Sequence, residues 1–354
     1  MTTPSPAPTK TDEATPLRPV RLPLRWLVGS VGVLVAVLFI AMAVGPAGLP
    51  PSSIAIEIVN YIPGIHLDGG LNDLESAVLW ELRAPRIVLA MLVGAMLAVA
   101  GAGYQGVFRN PLADPYLLGV AAGAGLGATL AIVSGTDRTL LPLAAFVGGV
   151  AGVAATYALG RGAGGRSTTT LILAGVAVSA FLTAVQTYVN QSNTDSLREV
   201  YGWILGRFLT AGWRDVLIVL PYIVVAIVIV MAHRRLLDVL SVGQYEAGSL
   251  GVPAARVRLV VVLAATLGTA AAVAVSGLIG FVGIVVPHIV RMLAGASYRI
   301  VLPLSAVVGA AFLVSADLVA RTIVAPGELP VGVVTAFIGA PFFTLVLRTS
   351  RSRM

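Results

Sequence analysis

The sequence predicts an all-α, polytopic membrane protein with about ten transmembrane helices and both termini in the cytoplasm. Hydrophobic residues make up 57% of the 354 residues and charged residues only 11%, whereas a soluble domain usually carries about 25% charged residues. A chain with so little polar surface needs a bilayer as its solvent. Its charge-free runs are also long enough, because a spanning helix takes about 20 apolar residues.

The ten predicted spans follow the charge-free runs in order. Eight runs each give one span, with approximate bounds 26–44, 86–109, 115–136, 139–160, 167–194, 216–232, 299–317 and 328–348. The run 259–290 is ambiguous, because its 32 residues are long for one span and short for two. Ser276-Gly277 and Gly280 interrupt this run, so we expect spans 7 and 8 with a tight turn between them.

The distribution of positive charges favours ten spans over nine. With ten spans, 16 of the 23 Lys and Arg residues fall on the side that holds both termini. Cytoplasmic loops carry the excess of these residues, so both termini are predicted to be cytoplasmic. The seven positive residues on the outer side are Arg83, Arg86, Arg138, Arg198, Arg207, Arg214 and Arg321.

Residues 1–23 are predicted to be a disordered cytoplasmic tail, and residues 24–354 the transmembrane domain. The tail is rich in Pro and Thr, which is typical of disorder. The alternative is a cleaved signal peptide, because Ala41-Met42-Ala43 resembles a cleavage site. Cleavage would remove span 1 and leave nine spans. The two ends of the chain would then lie on opposite sides of the membrane, against the charge distribution, so we favour a retained span.

The composition excludes several kinds of chemistry. Cys is absent and only three His residues occur, so thiolate sites and a multi-histidine metal site are not expected. The only Lys is Lys10 in the tail, so the chain lacks the Walker A motif for ATP hydrolysis. Any ATP coupling must therefore come from a partner. The net charge of +7 is spread singly between apolar runs, which argues against nucleic-acid binding.

Span 5 carries a stripe of uncharged polar residues with helical spacing. Its members are Ser179, Thr183, Gln186, Thr187, Asn190 and Gln191. The spacing predicts a single helical face. Polar side chains facing lipid are costly, so this face is expected to meet protein or water. Two interpretations stay open: hydrogen bonds between helices, or the lining of a translocation path for a large or weakly held solute.

Ionisable residues near the outer membrane surface form a second candidate site. Arg83 and Arg86 flank Pro85, which is read as the first turn of span 2, and a helix N-terminus disfavours cations. Their position suggests contact with an acidic extracellular partner; the alternative is pairing with Glu81 or a lipid phosphate. Asp317 and Arg321 are one helical turn apart and are predicted to form an ion pair.

Two cytoplasmic segments have features of docking surfaces. The loop 109–115 is predicted to be a rigid turn, with Pro111 ending span 2 and Asp114 capping span 3. The segment 233–258 is the longest internal cytoplasmic segment, and its Gly and Pro residues limit its helices to one or two turns. A short helix across the membrane face suits the docking of a cytoplasmic motor; the alternative is an idle interfacial helix.

Several motifs, taken together and in this order, are highly specific. They are Leu82-Arg83-Ala84-Pro85-Arg86, Ala100-Gly101-Ala102-Gly103-Tyr104-Gln105-Gly106, Phe108-Arg109-Asn110-Pro111-Leu112-Ala113-Asp114-Pro115, Leu250-Gly251-Val252, Gly280-Phe281-Val282-Gly283 through Pro287-His288, and Glu328-Leu329-Pro330-Val331-Gly332. With them, the chain from about Trp80 to Arg348 resembles the FecCD family of permeases. These proteins are the membrane subunits of ATP-binding cassette (ABC) importers for siderophores, haem and cobalamin.

The resemblance implies a multi-subunit assembly. It implies ten helices per subunit and a pair of permeases, as a homodimer or a heterodimer. Two separate ATPase subunits, which use ATP and Mg, would bind at the segment 233–258. The coupling residues there would be Gly243, Glu246, Ala247, Leu250 and Gly251.

The resemblance also implies roles on the outer side and along the path. The acidic residues of an extracytoplasmic binding protein would meet Arg83, Arg86 and Arg321. The path would lie at the dimer interface and involve span 5. His288 falls in the family's Pro-His motif and is read as structural, so we expect this chain itself to hold no metal and no cofactor.

The expected function is the permease subunit of an ABC importer in the bacterial cell membrane, with an iron complex (ferric siderophore or haem) as cargo. Cobalamin is the alternative cargo. An ion-coupled secondary transporter is the alternative class, but such proteins normally hold ionisable residues near the midplane of their spans. An intramembrane enzyme is not expected, because the groups for hydrolysis are missing.

Overall fold

Fifteen α-helices account for most of the residues that the structure, a computed structural model, describes. The described ranges are 22–45, 48–60, 64–65, 67, 70–162, 168–208, 211–249 and 251–351, and they contain no strand. The helices are α1 Leu24–Ala43, α2 Pro51–Asn60, α3 Asp73–Ala77, α4 Ala84–Phe108, α5 Val120–Val133, α6 Leu141–Gly162, α7 Thr168–Ser192, α8 Leu197–Ile204, α9 Trp213–Ala232, α10 Arg234–Val242, α11 Gln244–Ser249, α12 Ala254–Ser276, α13 Val282–Ala294, α14 Tyr298–Thr322 and α15 Val331–Arg351. Residues 1–21 of the predicted tail lie outside the described ranges.

Each of the ten predicted spans coincides with a helix. Seven helical segments in the described ranges are long and apolar enough to cross a membrane, namely those that contain α1, α4, α6, α7, α9, α12 and α14. Shorter apolar helices, Val120–Val133, Val282–Ala294 and Val331–Val346, occupy predicted spans 3, 8 and 10. The 14 residues of α5 rise about 21 Å, less than the roughly 30 Å hydrocarbon core. The all-α membrane class is confirmed, whereas ten spans and cytoplasmic termini stay predictions.

Helix α4 lies at the centre of the subunit. Helices α9, α12, α13 and α14 pack around it, and most of its side chains are buried. Glycines let the backbones approach: a Cβ on Gly101 would lie 2.0 Å from the carbonyl oxygen of Gly283 in α13, and one on Gly94 would lie 2.3 Å from that of Gly309 in α14. Contacts of this kind hold helices together in lipid, where the hydrophobic effect gives no drive for helix association.

The ambiguous run before span 9 forms two helices with an irregular segment between them, as predicted. Helix α12 ends at Ser276 and α13 begins at Val282, while Gly277 adopts a φ of +69° that permits the turn. The hydroxyl of Tyr116 donates to the carbonyl oxygen of Ile279 at 3.0 Å and accepts from the same residue's N–H at 3.1 Å. Tyr116 therefore satisfies backbone groups that the broken helix would otherwise leave unpaired.

The beginning of span 2 differs from the prediction. Pro85 does not mark a first helical turn, because the helix begins at Asp73 and a π-helical turn, Val78–Arg83, joins α3 to α4. A proline inside a helix has no N–H to donate to the preceding turn, and its ring crowds that turn. The wide π turn lies just before Pro85, where this crowding occurs. Arg83 and Arg86 therefore do not lie at a helix N-terminus, and the prediction that placed them there is wrong.

Candidate functional site

A cluster of buried charges lies at the predicted outer ends of α4 and α14. Nη2 of Arg86 in α4 lies 2.7 Å from Oδ1 of Asp317 in α14 and 2.9 Å from Oε2 of Glu328, before α15. Nε of Arg86 also donates to Asp317, at 3.1 Å. The Asp317 side chain is 1% exposed, and a carboxylate is tolerated at such a site only when it is paired. Arg86 is the group that makes this burial possible.

Two further arginines bind the C-terminal end of α1. Nη1 of Arg83 donates to the carbonyl oxygen of Met42 at 2.7 Å, and Nη2 of Arg321 donates to that of Ala41. The last carbonyls of a helix lack partners in the helix and carry partial negative charge, so cations are favourable there. Arg321 also lies 3.8 Å from Asp317, which confirms the predicted pair. This contact is longer than the 2.7 Å contact between Asp317 and Arg86 of α4. These bonds tie α1 to the rest of the subunit, and retention of the first span stays a prediction.

The three arginines that the resemblance assigns to binding-protein docking all belong to this cluster. Arg83 and Arg321 are 6% and 4% exposed, and the Arg86 side chain is 12% exposed. Their contacts hold the outer ends of α1, α4 and α14 together. Docking through them stays a prediction, and it requires a partner's carboxylates to compete with Asp317 and Glu328.

The polar stripe predicted on span 5 lies on α7, and the structure divides it between two faces. Ser179, Gln186 and Asn190 are buried or half-buried, whereas Thr183, Thr187 and Gln191 are exposed. Nε2 of Gln186 donates to Oγ1 of Thr129 in α5 at 2.9 Å, and this bond agrees with the interhelical interpretation for Gln186. The exposed face is the part of the stripe for which the path interpretation stays open.

The exposed face of α7 combines polar and large apolar side chains. Phe181 and Tyr188 of α7 are strongly exposed, as are Thr183 and Gln191. The Oγ1 of Thr187 donates to the carbonyl oxygen of Thr183 at 2.9 Å, so its hydrogen is satisfied within the helix. Contact of this face with a second subunit, and its place along a path, stay predictions.

The segment 233–258, which is predicted to be cytoplasmic, contains the two short helices α10 and α11, whose lengths of nine and six residues agree with the effect expected of its glycines. Of its predicted coupling residues, Glu246 and Gly251 are exposed, Gly243 and Ala247 are buried, and Leu250 lies outside the described residues. Gly251 adopts a φ of +75°, which favours glycine for reasons of backbone geometry alone. The exposed Glu246 is the side chain that a docking partner can reach.

Asp238 of α10 fastens this segment to α14, a contact that the sequence reading missed. Its carboxylate accepts from the N–H of Tyr298 at 2.6 Å and from Oγ of Ser297 at 2.8 Å, and it lies 3.3 Å from Nε of Arg299. These residues begin α14, so the carboxylate lies at the positive end of a helix dipole. The sequence held a signal, because Asp238 is a single carboxylate among the leucines of an amphipathic segment. Helix α14 thus connects Asp238 at one end with Asp317 at the other.

The loop between spans 2 and 3 forms the predicted helix stop and restart. Arg109 ends α4 with a φ of +49°, and Asp114 accepts from the N–H of Tyr116 at 2.7 Å. Asp114 thereby caps the 3-10 turn Pro115–Leu118, and α5 begins only at Val120. Burial raises the pKa of Asp114 to about 6, and the bond from Tyr116 opposes the rise.

The remaining polar residues of interest make contacts within the subunit. The His288 ring packs edge-on against Phe342 of α15, with ring centroids 5.8 Å apart. Gln105 donates to the carbonyl oxygen of Gly283 at 2.9 Å and accepts from Arg291, a link between α4 and α13 that the sequence reading did not identify. Within the described ranges, no group of three or more His, Asp or Glu side chains could hold a metal ion.

Relatives with known names match almost the whole chain. Residues 33–349 match the model of the FecCD transport family. The cobalamin import system permease protein BtuC of Halobacterium salinarum is 40% identical, over 88% of this chain and 83% of that protein. The hemin transport system permease protein HmuU of Yersinia pestis is 37% identical, over 90% of this chain and 95% of that protein.

A solved structure extends the match to three dimensions. A structure described as an inward-facing conformation of a metal-chelate type ABC transporter superposes with a TM-score of 0.82 at 30% identity. The match covers 92% of the present chain and 100% of the chain in the solved structure. Together with the seven long apolar helices, these matches identify a multi-pass protein of the inner membrane. The motifs, the helices and the relatives agree along the same residues, and the chain belongs to the FecCD transport family.

Proposed function

We propose that the chain is the permease subunit of an ABC importer and forms the path for an iron complex, either a ferric siderophore or haem. An extracytoplasmic binding protein delivers this cargo. The observation that carries the proposal is the family match over residues 33–349. The relative at 37% identity is a hemin transport system permease, and the relative at 40% identity is a cobalamin import system permease, which supports import as the direction of transport.

Two separate ABC ATPase subunits, with their own ATP and Mg, supply the energy. The single Lys of the chain lies in the tail at position 10, so the transmembrane domain has no Walker A lysine. The exposed Glu246 on α11 supports docking at this segment, and Asp238 supports transmission from there to α14. We assign Gly243, Ala247 and Leu250 to the same coupling segment.

The path runs between two copies of the permease, or between this chain and a second permease, along the exposed face of α7. Thr183, Thr187 and Gln191 supply weakly polar groups on that face, and uncharged groups suit a large solute that must be released again. Arg83, Arg86 and Arg321 lie at the predicted outer end, where the binding protein docks.

Cobalamin is the second candidate cargo, because a cobalamin import permease is 40% identical to this chain. Growth of a deletion strain separates the two cargoes. We expect loss of growth when a ferric siderophore or haem is the only iron source, rescue by the gene in trans, and normal growth on cobalamin. A growth defect confined to cobalamin would identify cobalamin, instead of an iron complex, as the cargo. Normal growth on every source would contradict both assignments.

A further inference from the structure

A groove of about 860 Å³ lies between α6 and α9 near their predicted outer ends. Both helices pack on α12, which supplies the small floor residues Ala271 and Ala274. Helix α8 contributes Trp203 at one end. None of the polar stripe residues of α7 lines the groove, so it is separate from the proposed path.

The lining of the groove changes from charged to apolar along the spanning helices. Arg214 lies in the first turn of α9, Ile218 one turn further, and Tyr222 one turn beyond that. The rings of Tyr222 and Phe146 of α6 lie 5.7 Å apart between their centroids. Eight residues of helix, from Arg214 to Tyr222, span about 12 Å. The groove therefore fits a molecule with a charged end and an apolar tail aligned with the helices.

The rim of the groove carries an excess of positive charge. Four arginines and three carboxylates line it: Arg138, Arg198, Arg207, Arg214, Asp195, Glu199 and Asp215. Glu199 pairs with Arg138 at 3.3 Å, and Asp215 accepts from the N–H of Gly212 at 3.0 Å. Among the described residues, neither Arg198 nor Arg214 lies within 4 Å of a carboxylate. These two guanidinium groups are therefore placed to receive an anion.

The apolar part of the groove is open on the outer surface of two helices that are long and apolar enough to span a membrane. Leu143 and Ile218 line it and are exposed, and they belong to α6 and α9, whose segments are long and apolar enough to span a membrane. Ser276 also lines the groove, but its hydroxyl donates to the carbonyl oxygen of Ala272. A soluble polar solute would thus meet mainly hydrocarbon side chains in the apolar part of the groove. An acyl chain, which is itself apolar, would be favourable there.

We infer that the groove binds an anionic phospholipid of the outer leaflet. Its phosphate lies between Arg198 and Arg214, and one acyl chain follows α9 toward the Phe146–Tyr222 pair. Arginine suits this role because its planar fork binds phosphate oxygens in a bidentate manner. The site also gives a role to arginines that run against the positive-inside distribution.

The test measures lipid bound to the purified, delipidated full chain by native mass spectrometry. The probes are phosphatidylglycerol, phosphatidylcholine and inorganic phosphate. We expect the wild type to retain phosphatidylglycerol in preference to phosphatidylcholine, and the double variant Arg198→Gln/Arg214→Gln to bind it at least about tenfold more weakly. Arg256→Gln/Arg348→Gln, which removes two exposed positive charges away from the groove, should change the affinity less than about twofold.

A second pair of variants leaves the arginines in place. Leu143→Trp narrows the groove and should reduce bound phosphatidylglycerol, whereas Val147→Trp, one turn along α6 and not in the lining, should not. Equal retention of phosphatidylcholine would mean unspecific boundary lipid and would overturn the inference. Unchanged affinity in the Arg198→Gln/Arg214→Gln variant would overturn it too, and so would displacement of the lipid by millimolar inorganic phosphate, which would indicate a site for soluble anions.

Discussion

Replacing Asp317 with Ala should lower the free energy of unfolding by about 3–5 kcal/mol. The carboxylate is 1% exposed and holds Arg86 through contacts of 2.7 and 3.1 Å, with Arg321 at 3.8 Å. Its removal leaves two buried guanidinium groups with Glu328 as the nearest remaining carboxylate, and water has little access to replace the lost bonds. Denaturant unfolding of the purified chain in detergent, followed by circular dichroism, measures the loss.

Glu199→Ala is the matched control for this prediction. It also removes one carboxylate from an arginine pair, but the side chains of that pair are 85% and 45% exposed, so the loss should stay within about 1 kcal/mol. The double variant Arg86→Met/Asp317→Leu should recover part of the stability, because it removes Asp317 together with the guanidinium that it holds most closely, while Arg321 keeps its bond to the carbonyl oxygen of Ala41. If Asp317→Ala and Glu199→Ala cost the same, the outer cluster is not the buried network described above.

This burial changes how docking must be tested. Charge reversal of Arg83, Arg86 and Arg321 removes the bonds that hold α1, α4 and α14 together at their outer ends. Lost uptake in such a variant therefore combines misfolding with lost docking. The affinity of the binding protein for variants that retain wild-type stability separates the two effects.

Replacing Asp238 with Ala should reduce uptake per ATP hydrolysed by about tenfold or more, while the ATPase partner stays bound and active. The change removes the bonds from Ser297 and Tyr298 that fasten α10 to the beginning of α14. Charge-assisted bonds are about twice as strong as neutral ones, so the segment 233–258 would then move without pulling on α14. Simultaneous measurement of ATP hydrolysis and cargo uptake in proteoliposomes gives the ratio.

Ser241→Ala is the control on the same helix. The Ser241 hydroxyl is exposed and donates only to the carbonyl oxygen of Asp238, within α10, so the ratio of uptake to hydrolysis should not change. A wild-type ratio in Asp238→Ala would refute transmission through this contact. Substitution of Gly251 is a poorer test, because its φ of +75° strains any other residue; Glu246→Ala tests docking without that strain.

The helices could be predicted from the sequence because the bilayer leaves few alternatives. A charge-free run of 20 residues must be helical to satisfy its backbone, and Gly277 marked the break between α12 and α13. The start of span 2 could not be read correctly, because Pro85 is typical of a first helical turn and the π turn before it has no distinct sequence signal.

The partners within the site could be predicted only where they are close in sequence. The Asp317–Arg321 pair follows from helical spacing, but the stronger contact of Asp317 is with Arg86, 231 residues away. In the same way, Gln186 and Gln191 look equivalent in the stripe of span 5. Only the position of α5, with Thr129, shows that Gln186 turns inward while Gln191 is exposed.

Uptake of a labelled ferric siderophore or haem into proteoliposomes tests the central claim, that this chain is a path which a separate ATPase must drive. The chain is reconstituted alone, with its ATPase, and with both the ATPase and the binding protein. We expect uptake only when the ATPase, ATP, Mg and the binding protein are all present. Uptake by the chain alone, driven by a proton gradient without ATP, would contradict this expectation and identify a secondary transporter.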